Sequence, residues 1–272
     1  MSDVIKKSEV VKLFPRRNHL SHKGDNGRVL IIGGSINYFG APILAGLGAL
    51  NSGADLVYLL VPECNFEVTR SFYPDFIVRK YPGNFLNPRA MENIDELLEK
   101  VDSVLIGPGV SETPEITKVA ARIVQKSKCR VVLDAEAIPA IAELGFESGV
   151  TITPHHGEMY KIAGDSSVED FAKKWGVTIL LKGNKDIIAS PARPTRINET
   201  GNAGMTVGGS GDVLAGFTAS LMAQHLEPYD ACICSAFLLG LTGDNLYKNK
   251  GYNFIATDLA LELPYTIRSI IE

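Results

Sequence analysis

The 272-residue chain is poor in the features that would place it in several large classes. Its four cysteines, Cys64, Cys129, Cys232 and Cys234, include no CxxC pair, and no histidine cluster complements them at zinc spacing, so they read as reduced core or helix-face thiols. No apolar run reaches the length of a membrane span, and the N-terminus carries no apolar signal region, which together predict a cytoplasmic protein. No basic stripe is present: 27 basic residues face 31 acidic ones for a net charge of −4, which argues against a nucleic-acid or membrane-surface partner. The Walker-A pattern GxxxxGK[ST] and the dinucleotide fingerprint GxGxxG are both missing. Nor is there a linker, a low-complexity tract or an internal repeat. One domain over residues 1–272 is the economical reading, and 45% hydrophobic content is enough to give it a sizeable core.

What the chain does have is regular alternation. Residues 4–14 read as a short amphipathic lead-in helix stopped by Pro15, within a lead-in segment of residues 1–21. Apolar strands are predicted at 28–32, 55–61, 76–79, 103–106, 130–133, 150–152 and 177–181. Helices are predicted between them at 40–52, 65–70, 91–100, 114–126, 135–144 and 167–175. Strands separated by helices imply a doubly wound, mostly parallel sheet covered on both faces, an α/β class. Residues 186–198, broken by Pro191 and Pro194, look like an antiparallel excursion at a sheet edge, and helices at 213–224, 229–247 and 256–271 close the chain. The helix at 40–52 is built of small residues, among them Gly46 and Gly48, which suits close packing against a core helix or a neighbouring subunit.

In such a sheet, ligands bind at the carboxyl ends of the strands. Gly33-Gly34-Ser35, Gly107-Pro108-Gly109, Asp134, Thr153-Pro154-His155-His156-Gly157-Glu158 and Lys182-Gly183-Asn184-Lys185-Asp186 all directly follow predicted strands. The densest stretch lies further on, where residues 201–212 hold five glycines and end on Asp212, directly before an apolar helix. Glycines ahead of a helix start let a ligand approach the backbone, and the free N–H groups of the first turn then point at it. A cap needs one permissive residue; Gly208, Gly209 and Gly211 supply three. An anion hole with Asp212 in its mouth follows. His155 and His156 are adjacent and lack a third ligand, so they read as a polar substrate contact or as a helix start beside Glu158 rather than a metal site. Lys182, beside Gly183, suits a nucleotide phosphate or ribose.

These motifs, in this order over residues 22–216, resemble the NAD(P)H-hydrate dehydratases, a branch of the ribokinase-like fold. The resemblance rests on residues 202–216, on His22-Lys23-Gly24, Gly33-Gly34-Ser35, Gly40-Ala41-Pro42 and Gly107-Pro108-Gly109, and on Leu133-Asp134-Ala135, residues 153–158 and Leu181-Lys182-Gly183. It implies a three-layer α/β/α enzyme, a carbon–oxygen lyase that repairs the S-form of hydrated NADH and NADPH. ADP or ATP phosphorylates the ring hydroxyl, and phosphate is then eliminated. By the same resemblance Asp212 is the base, and the N–H groups of Gly209, Ser210 and Gly211 hold the phosphoryl charge. Lys182, Gly183, Asn184, Lys185, Asp186 and Gly211 line the AMP portion of the nucleotide; Ala41, Gly109, His155 and Asp212 contact the hydrated dinucleotide. Mg²⁺ bridges phosphates through waters with few protein ligands, and none is assigned to a residue. The family's frequent homotetramers imply an oligomer, and the epimerase domain fused to many relatives is not in the sequence. His156 stands where proline is usual, Asn184-Lys185 where small residues are common, and Ser210 where threonine is frequent. Two other readings fit parts of the pattern: a kinase of the same fold acting on a vitamin precursor or sugar, and a nucleotide-binding protein without catalysis.

Overall fold

A computed structural model describes residues 3–145 and 149–271; residues 1–2, 146–148 and 272 of the expected single domain lie outside the described residues. In chain order the elements are β1 (Asp3–Val4), α1 (Lys7–Leu13), β2 (Arg28–Ile32), α2 (Gly40–Leu50), β3 (Leu56–Pro62), α3 (Phe66–Phe72), β4 (Phe76–Tyr81), α4 (Met91–Leu98), β5 (Ser103–Ile106), α5 (Ile116–Lys126), β6 (Arg130–Leu133) and α6 (Ile141–Leu144). There follow β7 (Thr151–Ile152), α7 (His156–Ala163), α8 (Val168–Trp175), β8 (Thr178–Leu181), β9 (Asp186–Ser190), β10 (Arg193–Asn198), α9 (Ser210–Ala223), α10 (Pro228–Lys250) and α11 (Ala256–Ile271).

Among the described residues ten strands form one sheet in the order β1-β10-β9-β8-β7-β6-β5-β2-β3-β4. The seven strands from β8 to β4 are mutually parallel, and β9 alone runs antiparallel to both of its neighbours. Alternation along each strand splits the core in two. On β2, Val29 and Ile31 face α1, α2, α9, α10 and α11, while Leu30 and Ile32 face α4, α5, α6, α7 and α8. Both faces being covered explains why the central strands are apolar throughout rather than alternating with polar residues.

Two predicted elements come out differently. The lead-in helix starts only at Lys7, because Val4 pairs with Ile197 in a parallel edge bridge and buried Ile5 donates its N–H to the Ile197 carbonyl. This short strand covers the edge that β10 would otherwise expose. Residues 135–140 form a 3₁₀ helix instead of α, since Pro139 cannot donate the N–H that an α-helical turn needs.

The small-residue helix α2 is a core element. A Cβ on Gly48 would lie 2.3 Å from the Val213 carbonyl oxygen, and one on Gly216 would lie 1.9 Å from that of Ala45. Glycine on each side lets α2 and α9 approach backbone to backbone, and this fixes where α9 begins.

Candidate active site

At the switch in strand order between β2 and β5, the loops that follow the two strands meet. Gly34 donates its N–H to the Pro108 carbonyl at 2.8 Å, and Gly33 has no room for a side chain, with that oxygen 2.3 Å from where a Cβ would sit. Gly109, at φ +69°, lies against Ala41 and Tyr38, whose Cβ atoms would be 2.9 and 3.1 Å from a Cβ on the glycine. Ala41 and Gly109 are thereby brought together at the start of α2.

Beyond this crevice, buried Asp134 after β6 and part-buried Lys182 after β8 close an ion pair. Lys182 Nζ donates to Asp134 Oδ1 at 2.9 Å, and Thr153 Oγ1 donates to the same oxygen at 2.7 Å. Asp134 is only 3% exposed. Burial works against the Lys182 ammonium, but the Asp134 charge and hydrogen bond, with Glu158 and Asp212 beyond, outweigh it and raise the lysine above its usual range.

The first turn of α9 stands next to this pair. Gly209 is its N-cap at φ +94°, and a Cβ there would meet Leu44 Cδ1 at 2.4 Å. Gly208 and Gly211 are needed for a different reason: the space beside Gly208 is open for 4 Å, and that beside Gly211 opens toward Lys182 Nζ, 3.4 Å from a Cβ position. Ser210 turns its N–H back toward the Val207 carbonyl at 3.4 Å and donates its hydroxyl to the Met205 carbonyl at 2.7 Å. The N–H groups of Gly211 and Asp212 find no backbone acceptor among the described residues, which leaves the helix end electropositive. Asp212 occupies its third position. Burial, reinforced by the nearby Asp134 charge and opposed by Lys182, pushes its carboxyl up to about 7.

Beside α9 a cavity of about 310 Å³ is lined by Lys182, Gly183, Asn184, Asp186, Ser210 and Gly211, and on its far side by residues 200–206 and by α10. Asp186 accepts from the Gly183 N–H and from Asn198 Nδ2; burial, only partly offset by those bonds, raises its carboxyl. Lys185 points elsewhere and pairs with Glu199 at 2.6 Å. The cavity thus brings Lys182 and the free first-turn amides of α9 together at one end, with Asp212 following directly on Gly211; a lysine beside helix N-terminal amides is chemistry suited to an anionic group.

Residues 29–265 match the protein family described as NAD(P)H-hydrate dehydratase. The chain belongs to the NAD(P)H-hydrate dehydratase family. A protein of Nitrosopumilus maritimus (strain SCM1) named ADP-dependent (S)-NAD(P)H-hydrate dehydratase is 37% identical over 93% of this chain and 93% of its own. The bifunctional NAD(P)H-hydrate repair enzyme Nnr of Archaeoglobus fulgidus is 40% identical over 93% of this chain and 53% of its own. The chain spans about half the length of most of the curated relatives it matches. The ADP/ATP-dependent NAD(P)H-hydrate dehydratase of Bacillus subtilis, co-crystallised with ATP/Mg²⁺, superposes with a TM-score of 0.85 at 26% identity, covering 99% of both chains. The architecture is the ribokinase-like three-layer α/β/α fold.

Within this family framework, the residues read from the sequence fall at three places. Ser210, Gly211, Lys182, Gly183, Asn184 and Asp186 line the cavity, with Gly209 and Asp212 beside them on the first turn of α9, and Ala41 and Gly109 meet at the β2–β5 crevice. His155 lies between them as the N-cap of α7, where its Nδ1 accepts from the N–H groups of Gly157 and Glu158 while the Glu158 carboxylate accepts from the His155 N–H. The helix-start reading of this histidine is thus realised, and its ring, 62% exposed, still reaches solvent at the strand ends. His22-Lys23-Gly24 sits elsewhere. That loop precedes β2, at the amino-terminal ends of the strands and away from the site, and Asp55 pins it by accepting from the N–H groups of Gly24 and Asn26. Thr200 and Leu239 line the cavity without having been singled out in the sequence, and Asn202 and Met205, which fall within the 202–216 motif, carried no assigned role there.

Proposed function

We propose that the protein dehydrates the S-form of hydrated NADH and NADPH at the expense of ADP, or ATP, regenerating the intact dinucleotide. The observation that carries this reading is the placement of Asp212, a half-buried carboxyl poised near neutrality, next to the free α9 amides and the Lys182–Asp134 pair, and directly after Ser210 and Gly211, which line the cavity. Such a carboxylate is matched to accepting a hydroxyl proton at physiological pH. With the adenosine and inner phosphate held along Lys182, Gly183, Asn184 and Asp186, the terminal phosphoryl group meets the amides at the start of α9. The ring hydroxyl, entering past Ala41, Gly109 and His155, loses its proton to Asp212 and attacks phosphorus, and the nucleotide leaves shortened by one phosphoryl group. The phosphate ester then departs as inorganic phosphate together with a ring proton, which restores the double bond. Fixed N–H donors stabilise the developing charge without reorganising, and this is where most of the acceleration resides.

Mg²⁺ belongs to this proposal as a partner of the phosphates. No group of three or more His, Cys, Asp or Glu residues capable of holding a metal occurs among the described residues. When bound with the nucleotide, the ion would supply neutralisation of phosphate charge. A homotetramer and a cytoplasmic location complete the reading. Phe39 and Phe72, with rings 6.3 Å apart, and Leu261 and Tyr265 on α11 leave apolar surface exposed for subunit contact. All four cysteines are free, as suits a reducing compartment, and no described helix is long and apolar enough to cross a membrane.

The test is recovery of the dihydronicotinamide absorbance band when the protein is added to purified hydrated NADH with Mg²⁺ and either ADP or ATP. Recovery with one nucleotide identifies the phosphoryl donor. Failure with both, in a preparation that binds nucleotide, overturns the dehydratase reading in favour of a kinase of the same fold.

A further inference from the structure

The far wall of the cavity is held by a stripe of α10 that plays no part in the chemistry above. Ala236 and Leu239 line the cavity, and Gly240, Gly243 and Asp244 continue the same face at helical spacing, three or four residues apart. The two glycines are sites of close approach: a Cβ on Gly240 would lie 2.3 Å from Thr200 Oγ1 and 2.6 Å from the Thr200 carbonyl oxygen, and one on Gly243 would lie 2.6 Å from Met205 Sδ. Segment 200–206, which joins β10 to the start of α9 and forms the cavity wall, thus lies directly on α10. Asp244 then fastens it. Its Oδ2 accepts from the Gly201 N–H and its Oδ1 from Asn202 Nδ2, both at 3.0 Å, while Asn202 Oδ1 in turn accepts from the Gly204 N–H. Gly201 is held at φ +106° by this arrangement.

We infer that Asp244 is a positioning residue for nucleotide binding: through Gly201 and Asn202 it sets the wall against which the nucleoside is held, without touching the reacting atoms. This inference rests on the proposed nucleotide site. It separates from a merely structural role because it acts on one ligand and not the other.

The substitution Asp244→Asn keeps the shape and one acceptor oxygen but turns an NH₂ toward the Asn202 amide, so that one of the two bonds is lost. Adding Asn202→Asp restores donor to acceptor across the contact and leaves the Gly204 N–H with a carboxylate oxygen. With ADP and Mg²⁺ as the probe in titration calorimetry, Asp244→Asn is expected to weaken binding about tenfold, the size of one lost hydrogen bond to a charged group. In turnover, KM for ADP rises in parallel, while kcat and KM for the hydrated dinucleotide stay within about twofold. The double variant binds ADP more tightly than Asp244→Asn alone, although Asn202 itself lines the cavity. An unchanged ADP Kd in Asp244→Asn, or a weakened one that the double variant fails to tighten, overturns the role of Asp244 while leaving the dehydratase reading standing. Wild-type protein that binds neither ADP nor ATP removes both.

Discussion

Asp212 can be read from the sequence because everything that defines it is local: three glycines, a helix start and a carboxylate within five residues. What could not be read was the company it keeps. The Asp134–Lys182 pair joins residues 48 apart in sequence, and only the parallel order β6-β7-β8 brings their strand ends side by side. That pair and burial together set the protonation of Asp212. Its carboxyl is raised from 3.8 to about 7, so between those values the folded protein keeps a proton that the unfolded chain has already lost. Stability therefore declines as pH rises through this window, and the loss is complete above it. Asp212→Asn, permanently neutral, escapes the decline. Its melting temperature relative to wild type should accordingly rise from about pH 4 to about pH 8, while its turnover falls by roughly 10²–10⁴-fold with ADP binding retained. In the wild type, kcat/KM should climb through about 7 as the base loses its proton. A stability difference that does not change with pH would show that Asp212 titrates normally, and undiminished turnover would remove it from catalysis.

Element boundaries were legible where periodicity and punctuation agreed. Strands β5 and β6 and helix α11 fall where the apolar pattern puts them, and the hairpin β9–β10 lies near the sheet edge as its prolines required. Pattern failed where one residue changed the backbone's options, as Pro139 did for 135–140, or where a distant partner did, as Ile197 did for Val4. The small residues of α2 were equally compatible with a core or a subunit contact; Gly216, on a different helix, decides for the core. Because α9 is seated by this contact and carries Asp212 on its first turn, Gly216→Ala is a test of transmission along a helix. Its Cβ would need room now taken by the Ala45 carbonyl, 1.9 Å away, and backbone cannot yield as a side chain would. A loss of about 1–3 kcal/mol is expected from overpacking, read by chemical denaturation. A shift of α9 also displaces the proposed base Asp212 and the first-turn amides together, so kcat should fall more than in an equally destabilised variant remote from α9. Loss of stability with full kcat would mean that the first turn is held by its own contacts and not by α2.

At the scale of the whole molecule, the class and the order of the layers were legible from alternation alone, because a parallel sheet needs a crossover between successive strands and offers few other solutions. The division of labour between the two faces was not, since central strands that are apolar throughout carry no sign of which neighbour each residue will meet. The sheet binds the two cores into one body: Leu30 and Ile31 are adjacent in β2 yet belong to opposite cores. The proposed ligand site spans strand ends and reaches α9 and α10 on one face and α7 on the other. Ligand binding should therefore stabilise both cores alike, and the chain carries a convenient reporter. Its one tryptophan, Trp175, stacks on Phe171 in the core opposite α9, whereas far-ultraviolet circular dichroism sees all the helices. ADP with Mg²⁺ at about a hundred times its Kd contributes about 2.7 kcal/mol to the folded state, so the thermal midpoint should move up by several degrees. Because Lys182 and Asp134 extend from strands whose residues alternate between the two cores, tryptophan fluorescence and circular dichroism should shift together. A nucleotide that raises the dichroism midpoint while leaving the Trp175 transition behind would show that the α9–α10 face folds as a unit of its own, with the site coupled to that face alone.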